Sequence, residues 1–378
     1  VRIVHVSDCY APRTGGIESQ VGDLAARQAE QGHDVHVLTA TLGVAGERGG
    51  VVDVEHGVHV HRLGARLPFD LPINPAAGPR LLRTAFDGLR PDVVHVHAGV
   101  LSPFAFDGAR LALDAGLPTA VTWHCMLDGT VPALRGAVRR TRWADAPVAL
   151  SAVSSAAAAR VEAVFETPVA VVPNGLDLDA WAPDTDSTTP AADDETAPVR
   201  LVSTMRLAPR KRAVPLVELV GAAARRLPHG RLHLSIIGSG PALGRVRSAV
   251  SAQGLDGVVD LRGRLTRPQV RAAYAHADVF LAPAELEAFG IAALEARTAG
   301  LAIVARRGTG IAEFVTDGVD GLLVADDAEM TEAVVHLAKD GRLLAGIRTH
   351  NRTIRPAFGW DDVLGAALAE YERARAMR

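Results

Sequence analysis

The sequence predicts two doubly wound α/β halves, each a parallel sheet covered by helices. Three observations lead there. Short runs rich in Val and Ile alternate with longer Ala/Leu/Arg segments of helical period, the pattern of strands buried on both faces beneath helices. The alternation occurs twice, and 378 residues exceed one ordinary core and suit two domains. Between the halves, residues 183–198 read PDTDSTTPAADDETAP, an acidic stretch without apolar period, expected as a linker or surface loop.

In the first half, strands are expected at 2–7, 34–39, 59–63, 93–97, 119–123, 149–153 and 170–172, each a short apolar run bounded by turn residues. In the second they fall at 200–203, 233–237, 259–262, 279–281, 302–305 and 321–324. The end of the chain, 360–378, has a helical period carried by Val363, Leu364, Ala367, Leu368 and Tyr371. The expected domains are 1–178 and 199–360, joined by a linker at 179–198, with the helix at 361–378 following the second.

Composition narrows the class. At 48% hydrophobic and 22% charged residues the chain reads as soluble and globular, and no run of about 18 uncharged apolar residues spans a bilayer. It opens on the strand-like VRIVHV without signal-peptide features, so a cytoplasmic location is expected. Cys9 and Cys125 are the two cysteines and lack metal-type spacing, so neither a disulfide framework nor a zinc site is expected. A net charge of -3 argues against a general nucleic-acid binder.

The richest segment is 283–300, PAELEAFGIAALEARTAG. Phe289-Gly290 permits a tight turn, good helix formers follow from Ile291, and the N–H groups near Gly290 and Ile291 can receive a diphosphate. Glu287 then precedes the helix and Glu295 lies about a turn and a half inside it, where carboxylates can accept from sugar and ribose hydroxyls. Arg206 and Lys211 follow the strand at 200–203, where doubly wound sheets gather ligands. They suit a phosphate, although a solvated basic loop has the same composition. Gly238, in a GSGP turn, and Arg264, after the next strand, are further candidates beside a nucleotide.

In the first half, Gly15 and Gly16 lie in a Pro/Gly loop leading into a helical pattern that begins near Glu18, and paired glycines let a backbone approach a ligand. His95 and His97 end one strand and share a face; His97 is expected nearer the rim, in reach of an acceptor, and His95 in the core. His124 closes the strand at 119–123. Arg135, Arg139, Arg140 and Arg142 form a basic segment beside Leu134, Val138 and Trp143, which reads as a solvated helix face or as a peripheral contact with anionic lipid.

Taken in order, GG-x-E at 15–18, T-x-H at 122–124, NG-x-D at 174–177, R-x4-K at 206–211 and E-x7-E at 287–295 resemble the motifs of GT4-family retaining glycosyltransferases. The resemblance covers essentially the whole chain. It implies the GT-B fold, two Rossmann-like doubly wound domains facing a central cleft, with the first domain completed by the C-terminal helix. It implies transfer of a sugar from a nucleotide-diphosphate sugar to a hydroxyl, with a UDP-sugar favoured over GDP-mannose, without metal or other cofactor and by front-face attack. His124, Arg206, Lys211 and Glu287 are then the catalytic residues. Gly15, Gly16, Gly238, Arg264, Phe289, Gly290, Ile291 and Glu295 bind the donor, and Glu18 and His97 lie on the acceptor side. The acceptor and oligomeric state stay open. A nucleotide-sugar epimerase of the same fold and a non-catalytic binding partner are the alternatives. Arg297 departs from the family's small apolar run and is the place to expect an unusual donor preference.

Overall fold

The computed structural model describes residues 1–13, 15–68, 71–183 and 197–378, and of Arg142 and Ala144 only the backbone. The chain divides into two units, 1–175 with 358–378, and 176–357. Most of the expected acidic linker, 184–196, lies outside the described residues.

In chain order the first unit runs β1 (Arg2–Ser7), α1 (Gly16–Glu30), β2 (Asp34–Thr39), β3 (Val51–Glu55), β4 (Val58–Arg62), α2 (Gly78–Leu89) and β5 (Val93–Ala98). It continues through α3 (Pro103–Asp114), β6 (Thr119–Trp123), α4 (Val131–Val138), β7 (Val148–Ala152), α5 (Ser155–Phe165) and β8 (Ala170–Val171). The second unit holds α6 (Leu178–Trp181), β9 (Val199–Thr204), α7 (Ala213–Ala224), β10 (Leu232–Ile237), α8 (Leu243–Ala252), β11 (Val259–Gly263) and α9 (Arg267–Ala275). There follow β12 (Val279–Ala282), α10 (Ile291–Thr298), β13 (Ala302–Arg306), β14 (Gly321–Val324), α11 (Asp327–Lys339) and α12 (Gly341–Thr353), and α13 (Trp360–Ala376) returns to the first unit.

The first sheet has the order β3-β4-β2-β1-β5-β6-β7-β8, parallel except for β3. That strand was not among those expected, because at the sheet edge Val51, Val52 and Val54 stay exposed and no buried run marks it. The signal that could have found it is the His56-Gly57 turn, where both residues have positive φ, as a two-residue hairpin of type I′ requires. One face of this sheet buries Ile3, Val93, Ala120 and Ala149 against Leu364, Ala367, Tyr371 and Ala374 of α13.

The second sheet is parallel throughout, β11-β10-β9-β12-β13-β14. Its core joins the Val and Leu residues of the strands to Leu216, Val217 and Val220 of α7 and Val334 and Leu337 of α11. The first residues of the expected linker enter α6 instead, where Trp181 packs its ring 5.7 Å from that of Tyr274. In each sheet the strand order reverses once near the middle, between β1 and β5 and between β9 and β12. Loops leaving adjacent strands diverge at such a point and leave a crevice at their C-terminal ends.

Candidate active site

In the second unit the loops after β9, β10 and β11 are stitched together on one side of the reversal. Met205 donates to the Ile237 carbonyl at 3.0 Å, Leu207 to Ser239 at 2.9 Å and Gly238 to Gly263 at 2.7 Å. Gly238 has φ +137, and a Cβ there would lie 1.9 Å from the Met205 carbonyl oxygen, so only glycine lets the loops approach this closely. From this platform the Arg206 side chain projects into solvent, and Arg264 is likewise exposed.

A single turn at Pro209–Lys211 carries the Lys211 ammonium onto the Glu287 carboxylate, from the loop after β12. The two side chains are each 22% exposed. The backbone of Glu287 is held by the Gly310 N–H at 2.8 Å, so the GTG loop after β13 braces the acid. Gly290 caps α10 with φ +93, and neither its N–H nor that of Ile291 is used by another described residue. These are the donors that a helix N-terminus offers to an anion. Glu295 lies farther along α10, and burial raises its carboxyl to about 7, an effect that the charge of Arg267 partly offsets. Lys211, Glu287, Gly290 and Ile291 are therefore brought together on one unit.

Two neighbours, Phe289 and Arg297, differ from the sequence reading. The Phe289 ring is buried 5.4 Å from that of Phe314, so its side chain belongs to the core. Arg212 pairs with Glu285 at 2.9 Å and with Asp327 at 2.5 Å. Arg297 is buried and pairs with Asp320 at 2.6 Å, so its charge is neutralised inside the unit. That pairing corrects its assignment to donor preference, because a buried arginine must be matched by an acid.

In the first unit Gly15 precedes α1 and, with Gly16, is exposed; Glu18 folds its carboxylate back over Gly15, 2.3 Å from where a Cβ would stand. Asp8, just past β1, accepts from the N–H groups of Phe104 and Ala105 at 3.1 Å each, at the start of α3, and burial raises its carboxyl to about 6. Gly175 exchanges two hydrogen bonds with the Gln20 side chain, at 3.0 and 2.8 Å.

The histidines form the most connected group. His124 Nε2 lies 3.0 Å from His97 Nδ1, and His97 Nε2 lies 2.9 Å from His5 Nδ1. His5 Nε2 meets Gln28 Oε1 at 2.7 Å, and the Gln28 amide donates to the Tyr371 hydroxyl at 2.9 Å. That hydroxyl reaches His95 Nδ1 at 2.9 Å, and His95 Nε2 reaches Thr122 Oγ1 at 2.7 Å. His97 is thus buried, 3% exposed, with both nitrogens engaged. This corrects its expected place at the rim: it contacts His124 instead of facing solvent. Burial holds His5 and His124 down to about 4 and His95 and His97 well below their ordinary value, so all four are neutral at pH 7.

Nitrogens of His5, His95 and His97 approach within 4.8 Å of one another, a spacing that can hold a metal ion. Their ring nitrogens are already taken by hydrogen bonds, so the group as it stands is a satisfied polar core. Sequence reading weighed His95 and His97 without His5, Gln28 or Tyr371. The available signal was a histidine inside the Val-rich β1, which the register sets opposite His95.

In the basic segment, Arg135 donates to the Ala163 carbonyl at 2.5 Å and Arg139 pairs with Glu166 at 2.5 Å. The Arg142 side chain lies outside the described residues. No helix among the described residues is long and apolar enough to cross a membrane.

Residues 14–180 match the model of Glycosyltransferase Family 4 and residues 198–340 that of Glycosyl transferases group 1. The chain is 30% identical to a D-inositol 3-phosphate glycosyltransferase of Xylanimonas cellulosilytica, over 99% of this chain and 96% of that protein. It is 27% identical to a GDP-mannose-dependent alpha-(1-6)-phosphatidylinositol monomannoside mannosyltransferase of Mycobacterium tuberculosis, over 98% of each. In fold it resembles the Anabaena protein HepE, crystallised with UDP, at a TM-score of 0.74 and 18% identity, covering 98% of this chain and 100% of that one. With two parallel-sheet units, the motif loops at the C-terminal ends of their strands and these relatives, the chain belongs to the family 4 glycosyltransferases of GT-B fold.

Proposed function

We propose that the protein transfers a sugar, with retention of anomeric configuration, from a nucleotide-diphosphate sugar to an acceptor hydroxyl, without a metal. The observation that carries this reading is the Lys211–Glu287 pair beside the N-terminus of α10, with Glu295 inside that helix. Cation and acid hold each other ready. A bound diphosphate would take Lys211, Arg206 and the N–H groups of Gly290 and Ile291, while Glu287 accepts from sugar hydroxyls and Glu295 from the ribose.

As the glycosidic bond breaks, negative charge grows on the leaving diphosphate, and fixed cations and helix N–H groups lower the barrier. Retention then follows from attack on the face that the leaving group vacates, with the acceptor hydroxyl giving its proton to a departing phosphate oxygen. No side chain is needed as nucleophile. His124 supports the sugar, and Gly15, Gly16 and Glu18 serve the donor phosphates and the acceptor.

A UDP-sugar is the favoured donor. The fold neighbour HepE was crystallised with UDP, whereas a relative in sequence is named for GDP-mannose. Two relatives named for inositol-bearing acceptors make an inositol phosphate or its lipid the first acceptors to try.

The test is a thermal-shift panel of UDP, GDP, ADP and their sugars, without added metal, on wild type and Lys211→Ala. One nucleotide family should stabilise the wild type, by about 2.7 kcal/mol at a hundredfold excess over its Kd, and the variant should lose that gain. No stabilisation by any nucleotide would overturn the proposal.

A further inference from the structure

The donor and acceptor roles along the histidine chain can be assigned by walking outward from its one amide. Gln28 turns Oε1 to His5 and its NH2 to Tyr371. An amide oxygen only accepts, so His5 carries its proton on Nε2, and a neutral imidazole then offers Nδ1 as an acceptor. His97 must therefore donate from Nε2, which leaves its own Nδ1 to accept from His124 Nε2–H. On the other side Gln28 donates to the Tyr371 oxygen, so the tyrosine proton goes to His95 Nδ1 and His95 Nε2–H goes to Thr122. Thr122 then donates to Ser151 at 2.8 Å, and Ser151 ends the chain on the Val121 carbonyl.

Every donor between His124 and Ser151 thus has an acceptor. The atom left over is His124 Nδ1, shut off from solvent and without a hydrogen-bond partner among the described residues. A buried unpartnered lone pair costs free energy unless a ligand supplies a proton.

We propose that these seven hydrogen bonds form a one-way relay that fixes His124 as its Nε2–H tautomer, with Nδ1 held unprotonated. The tautomer assignment stands on the chain's own hydrogen bonds, and the place of His124 beside the sugar rests on the function proposed above. Gln28, His5, His97 and Tyr371 are then positioning residues. The relay also ties His124 to the C-terminal helix, since Tyr371 lies on α13 and Gln28 on α1.

The experiment records the imidazole nitrogen resonances of the full chain labelled with 15N-histidine at pH 7, with no nucleotide present, and identifies His124 by its loss in His124→Gln. In the wild type, His5, His97 and His124 should each show a protonated Nε2 and an unprotonated, pyridine-type Nδ1. In Tyr371→Phe, which keeps the ring, the Gln28 amide loses the bond that orients it. The two His124 nitrogen shifts should then move toward each other as the tautomers mix. A protonated His124 Nδ1 in the wild type overturns the relay, and so does a His124 pattern unchanged in Tyr371→Phe while His95 alone responds. Failure here leaves the nucleotide-sugar proposal standing, because no nucleotide is added; failure of the nucleotide panel leaves the relay standing.

Discussion

Glu295 shows how one residue reports on its surroundings. Its carboxyl, raised to about 7 by burial in α10, holds a proton between pH 4.5 and 7 that the unfolded chain has already released. Over that window the native state binds more protons, so this group makes stability fall as pH rises. Replacing it by Gln should remove the effect. The stability of Glu295→Gln relative to wild type, from urea unfolding, should rise by up to about 3 kcal/mol between pH 4.5 and 8, at about 1.4 kcal/mol per tenfold change. A difference that stays flat with pH would mean an ordinary carboxyl. The position of Glu295 on the helix was legible from spacing, but its raised pKa was not, because burial is set by everything packed around it.

At the scale of elements, the loops after β9 and β10 act as one piece. Gly238 stands where the two backbones touch, with φ +137, so Gly238→Ala should cost about 1–3 kcal/mol from backbone strain alone and should displace the loop that carries Arg206. Nucleotide stabilisation should fall together with stability. Gly244→Ala, on α8 with nothing within 4 Å of the added carbon, is the control and should be neutral or slightly stabilising. Equal behaviour of the two variants would separate the turn from the site. Strand positions were legible to within a residue or two because buried parallel strands are continuous apolar runs; β3 was missed because an exposed edge strand has none.

Across the whole molecule the two units should answer acid in opposite ways. In the first, four histidines are held neutral, with His5 and His124 at about 4 against an ordinary 6.5. The unfolded chain binds more protons between those values, so that stability is present above pH 6.5 and is lost as pH falls. Asp8, raised to about 6, and Glu370, also raised by burial, work against this, two carboxyls against seven imidazoles once His33, His36 and His61, likewise lowered by burial, are included. In the second unit Glu295 has the opposite sign. Hydrogen exchange at pH 5 and 7.5, corrected for intrinsic rates, should show protection falling at low pH in peptides of β1, β5 and β6 and holding in those of β9 and β12. A parallel loss in both sheets would contradict the histidine account.

By itself the sequence determined the two doubly wound halves, the loops that carry Arg206, Lys211, Glu287 and the helix at Gly290, and the family to which they point. These are local properties: period, glycine placement and short spacings act over a few residues, and each loop falls at the C-terminal end of a strand that can be read from its own composition. Only the tertiary structure decided that Lys211 meets Glu287, that Arg297 is neutralised by Asp320, and that His97 faces His124 and not solvent. It alone joined Gln28 to Tyr371 across 343 positions of chain. Such pairs depend on which strands are neighbours and in what register, and their energies on how far packing excludes water, and neither is written in any one segment.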